Sequence, residues 1–353
     1  MKPKFILPFL LLLQIIALQI VSFFPEFIEQ YYSNGLYSWI SNFSRSTLGA
    51  IFFSLGDLLY IVVLFLIAKW FWIQRKSWKT QWQLNSLRIL SFISVLCFVF
   101  HLLWGMNYHR VPLFEKMNIK KDYSDADLLL FTQKLIAKTN AVHYQIVKDD
   151  RLKVVFPYTQ EQVFDFNSKG YEMLSKEYPL FTYQNPSVKK SLMSLPLTYM
   201  GFGGYLNPFT NEAQVNYLGP MYNFPTTTCH EMAHQLGYAS ESEANFIGFL
   251  ASIKNDNLYF QYSGYSQALR YCLRNWQIRD QHVLKALLKT IHPGILANFK
   301  ESETFWASYE TFIETGFKIF YDHFLKFNQQ EDGLESYSKF VDLMVNYYKD
   351  KAL

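Results

Sequence analysis

Apolar residues dominate three stretches in the first third of the chain, Phe5 to Phe24, Leu48 to Ala68 and Leu87 to Met106. Each runs for about 20 residues, the length that crosses a bilayer as a helix. The first carries no formal charge and is broken only by Gln14, Gln19 and Ser22. Lys2 and Lys4 give it the basic start of a cleaved signal peptide. The run is nevertheless too long for one and lacks a small-x-small cleavage site, which favours a retained anchor.

Beyond Arg110 the pattern changes. Asp125 to Thr139 has helical periodicity behind a Ser124 cap with Asp127 in the first turn, and Glu161 to Lys176 repeats it behind Thr159. From Leu192 to Tyr217 short apolar runs are punctuated by Gly201, Gly203, Gly204 and Pro208, which is strand and turn chemistry. Within it, Glu212 to Tyr217 alternates and reads either as an edge strand able to pair with an extended peptide or as an ordinary sheet strand. After Ser240 the pattern is helical to the amphipathic Tyr337 to Tyr348 segment. The expected fold is a membrane domain over residues 1–110 with three transmembrane helices, then an α+β domain over 111–353 that is mostly helical after a small sheet.

Charge orients this arrangement. The link between the second and third stretches carries Arg75, Lys76, Lys79 and Arg88, which places it in the cytoplasm. The segment from Pro25 to Thr47 has Arg45 as its one base beside Glu26 and Glu29, and belongs outside. Residues 111–353 then lie on the extracytoplasmic side of the membrane. Arg110, Lys116, Lys120 and Lys121 run against this sidedness, but they lead into a long domain, where the charge rule loses force. A net charge of +4 without a basic cluster suggests no nucleic-acid partner. Cys97, Cys229 and Cys272 form no disulfide framework. Asp57, about nine residues into the second stretch, falls near mid-bilayer and needs a protein partner, for which His101 in the third stretch is the candidate. A structural latch between helices fits better than a proton path.

His230-Glu231-Met232-Ala233-His234 carries the chemistry. On a helix the two imidazoles emerge about 40° apart and one turn above the other, so both can ligate one metal ion. Zinc accepts neutral imidazole, and a catalytic site keeps a fourth position for water, beside which Glu231 can serve as base. With eight His in the chain, the pattern arises by chance on the order of 0.01 times. The competing reading makes Thr228 to Glu231 a capping box, but Pro225 starts a helix about a turn earlier.

A third ligand should follow. Gly237 ends the helix, and Ser240 or Ser242 can cap the next. Glu241 and Glu243 point about 160° apart on that second helix. Phe246, Ile247, Leu250, Ala251 and Ile253 form an apolar stripe centred on Glu243, whereas Glu241 falls among Asn245, Gly248 and Ser252. The expectation is therefore that Glu243 is the ligand, with a Ser240–Glu243 capping box as rival, and that Glu241 is solvated. Ser240 stands where a third histidine would otherwise fall. His282, His292 and Asp256 are distant outside candidates, and Tyr262, Tyr265 and Tyr337 are candidate oxyanion donors among 25 tyrosines.

The chain resembles a bacterial domain-of-unknown-function family of zincin-like, glutamate-type metallopeptidase character with an N-terminal membrane region. The resemblance rests on Gly56 to Tyr60, Trp104 to Tyr108, Gly201 to Pro208, Thr227 to Ala239, and Glu241 to Phe246. It implies one zinc ion on His230, His234 and Glu243, Glu231 as the catalytic acid, and Tyr337 as a helper through Gly333 to Tyr337. The expected function is a membrane-anchored zinc metallopeptidase acting on a peptide or protein. A zincin-fold binding or sensor module without activity is the alternative, against which the intact Glu231 argues.

Overall fold

The computed structural model describes residues 5–328 and 337–353, with the side chains of 337 and 338 excepted. The membrane-proximal part comprises α1 (Ile6–Val21), α2 (Pro25–Phe27), a π-helical stretch (Ile28–Leu36), α3 (Tyr37–Leu48), α4 (Leu55–Gln74) and α5 (Trp82–Leu103). Then come α6 (Leu113–Lys116), α7 (Asp125–Val147), α8 (Gln160–Glu177), β1 (Val188–Lys190), α9 (Ser194–Met200), β2 (Gly204–Leu206) and β3 (Ala213–Val215). The remainder is helical: α10 (Phe224–Gln235), α11 (Glu241–Lys254), α12 (Leu258–Arg279), α13 (Gln281–Leu288), α14 (Pro293–Ala307), α15 (Phe312–Phe327) and α16 (Tyr337–Tyr347). The expected small sheet in a mostly helical chain is present, and capping boxes at Ser124/Asp127 and Thr159/Gln162 open α7 and α8 where the sequence places them.

Among the described residues two helices, α4 and α5, are long and apolar enough to cross a membrane. The first apolar stretch differs from expectation. α1 has 16 residues and meets the Pro25–Leu48 run at a bend of 101°, so a third span exists only as a bent pair. The second stretch also starts later than its hydropathy suggests, because Ser54 caps α4 by accepting from the Asp57 amide.

That shift corrects the reading of Asp57, which sits in the first turn of α4 instead of at mid-bilayer. Its carboxylate accepts from the Leu192 amide at 2.7 Å, the Ser191 hydroxyl at 3.0 Å and the Tyr205 hydroxyl. His101 instead bonds the Cys97 carbonyl on its own helix. Glu212 accepts from the Gly56 amide at 2.6 Å, so two carboxylates hold the electropositive end of α4 against the sheet. The expected contact between Asp57 and His101 is absent, and Asp57 instead ties the start of α4 to the sheet region.

The sheet order is β1-β3-β2, with β3 parallel to β1 and antiparallel to β2. The expected edge strand at Glu212 to Tyr217 is therefore the central one. Its three residues are all buried, with neighbours on both sides. β2 is an outer strand, and it lies beside α10. Under this layer, α7, α8, α11, α12 and α16 enclose the main core around Leu128, Tyr171, Phe246, Phe249, Leu269 and Phe340.

Candidate metal centre

α10 begins at Phe224 with Pro225 in its first turn, which leaves His230 and Glu231 in mid-helix and removes the capping-box reading of Glu231. Its end is short. Gly237 adopts φ 81°, the left-handed conformation that terminates helices. The last carbonyls of a helix need donors, and here they come from the membrane-proximal part. The Tyr37 hydroxyl bonds the Gln235 carbonyl at 2.9 Å, the Trp104 indole bonds that of His234 at 3.2 Å, and Arg110 bonds that of Gly237 at 2.9 Å. The helix bearing the histidines is thus fixed to α3 and to the segment that follows α5.

The two imidazoles meet edge to face, with their Nε2 atoms 3.1 Å apart. Nδ1 of His234 lies 2.7 Å from the Tyr238 carbonyl. A carbonyl only accepts, so Nδ1 carries the proton and Nε2 is left with a bare lone pair. Glu241 completes the group, one oxygen 3.2 Å from Nε2 of His230 and the other 3.8 Å from Nε2 of His234. A proton on His230 Nε2 bonds well to only one of these neighbours, whereas a cation satisfies all three. Donors about 2 Å from a tetrahedral ion stand about 3.3 Å apart, which the 3.1 and 3.2 Å separations approach. The residues fit a small divalent ion. His230, Glu231 and His234 also offer ligand atoms within 4.8 Å of one another.

Glu243 does not join them. One of its oxygens accepts from the Leu113 amide at 2.6 Å; burial raises its pKa, against which that bond and the charges of Lys116 and Arg110 act. Those cations also clasp Glu29, at 3.0 and 2.8 Å. Burial pushes the Lys116 amine down to about 8, with Arg110 adding to the effect against Glu29. Arg110 and Lys116 are thus internal structural charges, which accounts for their disagreement with the loop-charge pattern. The Ser240–Glu243 capping box is absent too, since the Ser240 side chain bonds Ser242 instead.

The apolar stripe of α11 turns Glu243 away from the histidines, for a physical reason. From Ser242 to Ser252 every residue of α11 is buried, so its polar side faces protein as well. Gly248 marks that side: a Cβ there would come within 2.8 Å of the His230 backbone nitrogen. Small and polar residues on the Glu241 face, Asn245, Gly248 and Ser252, signal close helix packing. In the sequence alone the same residues resemble a solvated surface.

Electrostatics separates the acids. Burial opposes ionisation of Glu241, but the hydrogen bond and charge of His230, with His234 and Tyr321, hold it at about 2. Burial pushes Glu231 up to about 8, with Glu241 adding repulsion. Its Oε2 has no hydrogen-bond partner among the described residues, and a Cβ on Gly204 would come within 2.6 Å of its Oε1, so β2 must approach here without a side chain. One carboxylate stays charged beside the imidazoles and the other is suited to carry a proton.

The tyrosine that reaches this group is Tyr321 of α15, whose hydroxyl donates to Glu241 at 2.7 Å. Tyr262 donates to Asn298 at 2.8 Å in the core, and Tyr265 packs on Phe249. The Tyr337 side chain lies outside the described residues. His292 bonds His143 at 3.1 Å, away from the centre, and neither His282 nor Asp256 lines the cleft. That cleft, of about 1670 Å³, is bordered by the histidines, Glu231, Glu241, β2, α12 and α15.

The chain belongs to the DUF3810 family, described as a protein of unknown function, whose model matches residues 32–345. That range runs from the segment clasping α10 into the last helix. No curated protein and no solved structure matches the chain.

Proposed function

We propose that this member of a family without an assigned activity is a membrane-anchored zinc metallopeptidase. In this reading His230, His234 and Glu241 hold the ion, and Glu231 handles the proton. The observation that carries it is the convergence of two imidazole nitrogens and an ionised carboxylate on one point, beside a second carboxylate that burial keeps ready for a proton. Bound there, zinc would acidify a water and polarise the scissile carbonyl. Glu231 takes the water proton at its unpartnered Oε2 and returns it to the leaving amine, so that one water is added across the C–N bond. Tyr321 orients Glu241 through its hydroxyl. The outer strand β2 offers its backbone to an extended peptide next to Glu231. Loop charges put this face outside the cytoplasm.

Digestion of an unbiased peptide library by the full-length protein, with and without chelator, tests the reading. Cleavage should stop with chelator and return with zinc. Glu231→Gln should keep the metal and lose at least about 1000-fold in rate, as expected when a proton-transfer group is removed. Unchanged turnover in metal-loaded Glu231→Gln contradicts the assignment. A metal-loaded wild type that cleaves nothing favours a binding or sensor module.

A further inference from the structure

The cleft at the histidines extends past the sheet towards the apolar helices. It continues between α4 on one side and α1 and α5 on the other. α1 packs along α5, while α4 stands apart, its buried residues confined to Gly56 and Asp57 at the latched end. The gap left between them is lined on α4 by Tyr60, Val63, Leu64 and Ile67, the i, i+3, i+4, i+7 stripe of one helix face. Phe92, Leu96 and Phe100 line it on α5. From Asp57 to Ile67 a helix rises about 15 Å, half the thickness of a hydrocarbon core. The groove thus reaches mid-bilayer.

Its upper end joins the metal centre without a break. The Tyr60 ring stacks on Tyr205 of β2 at 6.1 Å, and the neighbouring Gly204 abuts Glu231. On the facing side Phe324 of α15 packs against both Phe100 and Tyr108, at 6.1 and 6.2 Å. One ligand can therefore lie with its apolar part in the groove and a polar part beside Glu231. The latch formed by Asp57 and Glu212 holds the α4 wall in register with β2.

We propose, on the strength of the peptidase reading above, that the substrate is a lipid-anchored polypeptide whose fatty acyl chain occupies this groove while the adjoining peptide segment crosses the metal centre. Continuity with the site decides for an acyl chain over a transmembrane helix. Tyr60 at the upper end of the groove stacks on Tyr205, next to the Gly204 that abuts Glu231, so a helix lodged in the groove would have to unwind at once to lie extended along β2, whereas an acylated peptide is extended from its first residue. An acyl chain is far thinner, and each buried methylene adds to its retention. The substrate is thereby drawn from the bilayer, with its cleavable bond close to the anchor.

Matched randomised peptides, with and without an N-terminal palmitoyl group, test this on full-length protein in nanodiscs. The palmitoylated set should be cleaved with at least tenfold higher kcat/KM, and Leu64→Trp, which fills the groove, should bring that ratio down towards one. A second measurement does not depend on turnover. A diazirine at the end of the palmitoyl chain, used with Glu231→Gln, should crosslink to Val63–Ile67 and Phe92–Leu96. Equal cleavage of the two sets overturns the proposal, as does a gain seen only with transmembrane helical peptides. Crosslinks spread over the outer lipid-facing surface, as free palmitate would give, overturn it too. If neither set is cleaved by zinc-loaded wild type, the peptidase reading falls, and the crosslink pattern still decides whether the groove takes an acyl chain.

Discussion

Glu241 and Glu243 sit two residues apart on α11 and face opposite ways, the first towards the paired imidazoles of α10 and the second towards the cationic clasp of Arg110 and Lys116. Both are surrounded by compensating charge, and both faces are shut off from solvent along most of the helix. The difference lies in what supplies the compensation. Around Glu243 the partners are an amide and the basic side chains of Lys116 and Arg110, already present in the fold. Around Glu241 they are two titratable rings whose nitrogens also face each other, an arrangement that gains most from a cation. A buried acid in an apolar stripe therefore marks a need for countercharge, and only its neighbours say whether that charge is a side chain or an ion.

The contrast can be broken by substitution. The largest effect should come from Glu241→Gln, which removes the charged ligand: hydrolysis should fall at least about 1000-fold, read as kcat/KM on a library-derived peptide. An activity loss of this size in Glu243→Gln, with Glu241→Gln near wild type, would reverse the assignment. Next is stability. Glu243→Ala leaves the buried Leu113 amide without its acceptor and removes a carboxyl from beside Lys116 and Arg110, and should cost about 2 kcal/mol, measured as a lowered unfolding midpoint in detergent. Tyr321→Phe should weaken zinc about tenfold in a competition titration while leaving the fold intact, because it removes one hydrogen bond behind a ligand. Smallest is Ser240→Ala. With no side-chain cap at this position, the change should stay within about 0.5 kcal/mol, against about 1 kcal/mol for a working cap.

How far the sequence reveals this molecule differs from element to element. The grouping of His230, Glu231 and His234 on α10 was legible because their spacing matches the helix repeat, and the helix end at Gly237 because glycine readily takes the left-handed conformation there. The capping boxes of α7 and α8 were equally local. Glu241 was hidden because a polar helix face looks the same whether it meets water or another helix, and the clue in Gly248 needs the packing partner to be read. Tyr321 was hidden by distance, since α15 is brought over the cleft from 80 residues away. Asp57 was misplaced by hydropathy, which counts Ile51 to Phe53 as membrane helix although α4 starts only at Leu55. The central position of β3 follows from a parallel pairing with β1, more than 20 residues upstream, that alternation alone does not specify.

The central claim is that the metal is held from the Glu241 face. Its most direct test is the zinc content of purified full-length wild type, Glu241→Ala and Glu243→Ala by plasma mass spectrometry, each scaled to its folded fraction. The account predicts about one ion per chain in wild type and in folded Glu243→Ala, and close to none in Glu241→Ala. Retention of zinc by Glu241→Ala together with its loss from Glu243→Ala would contradict it.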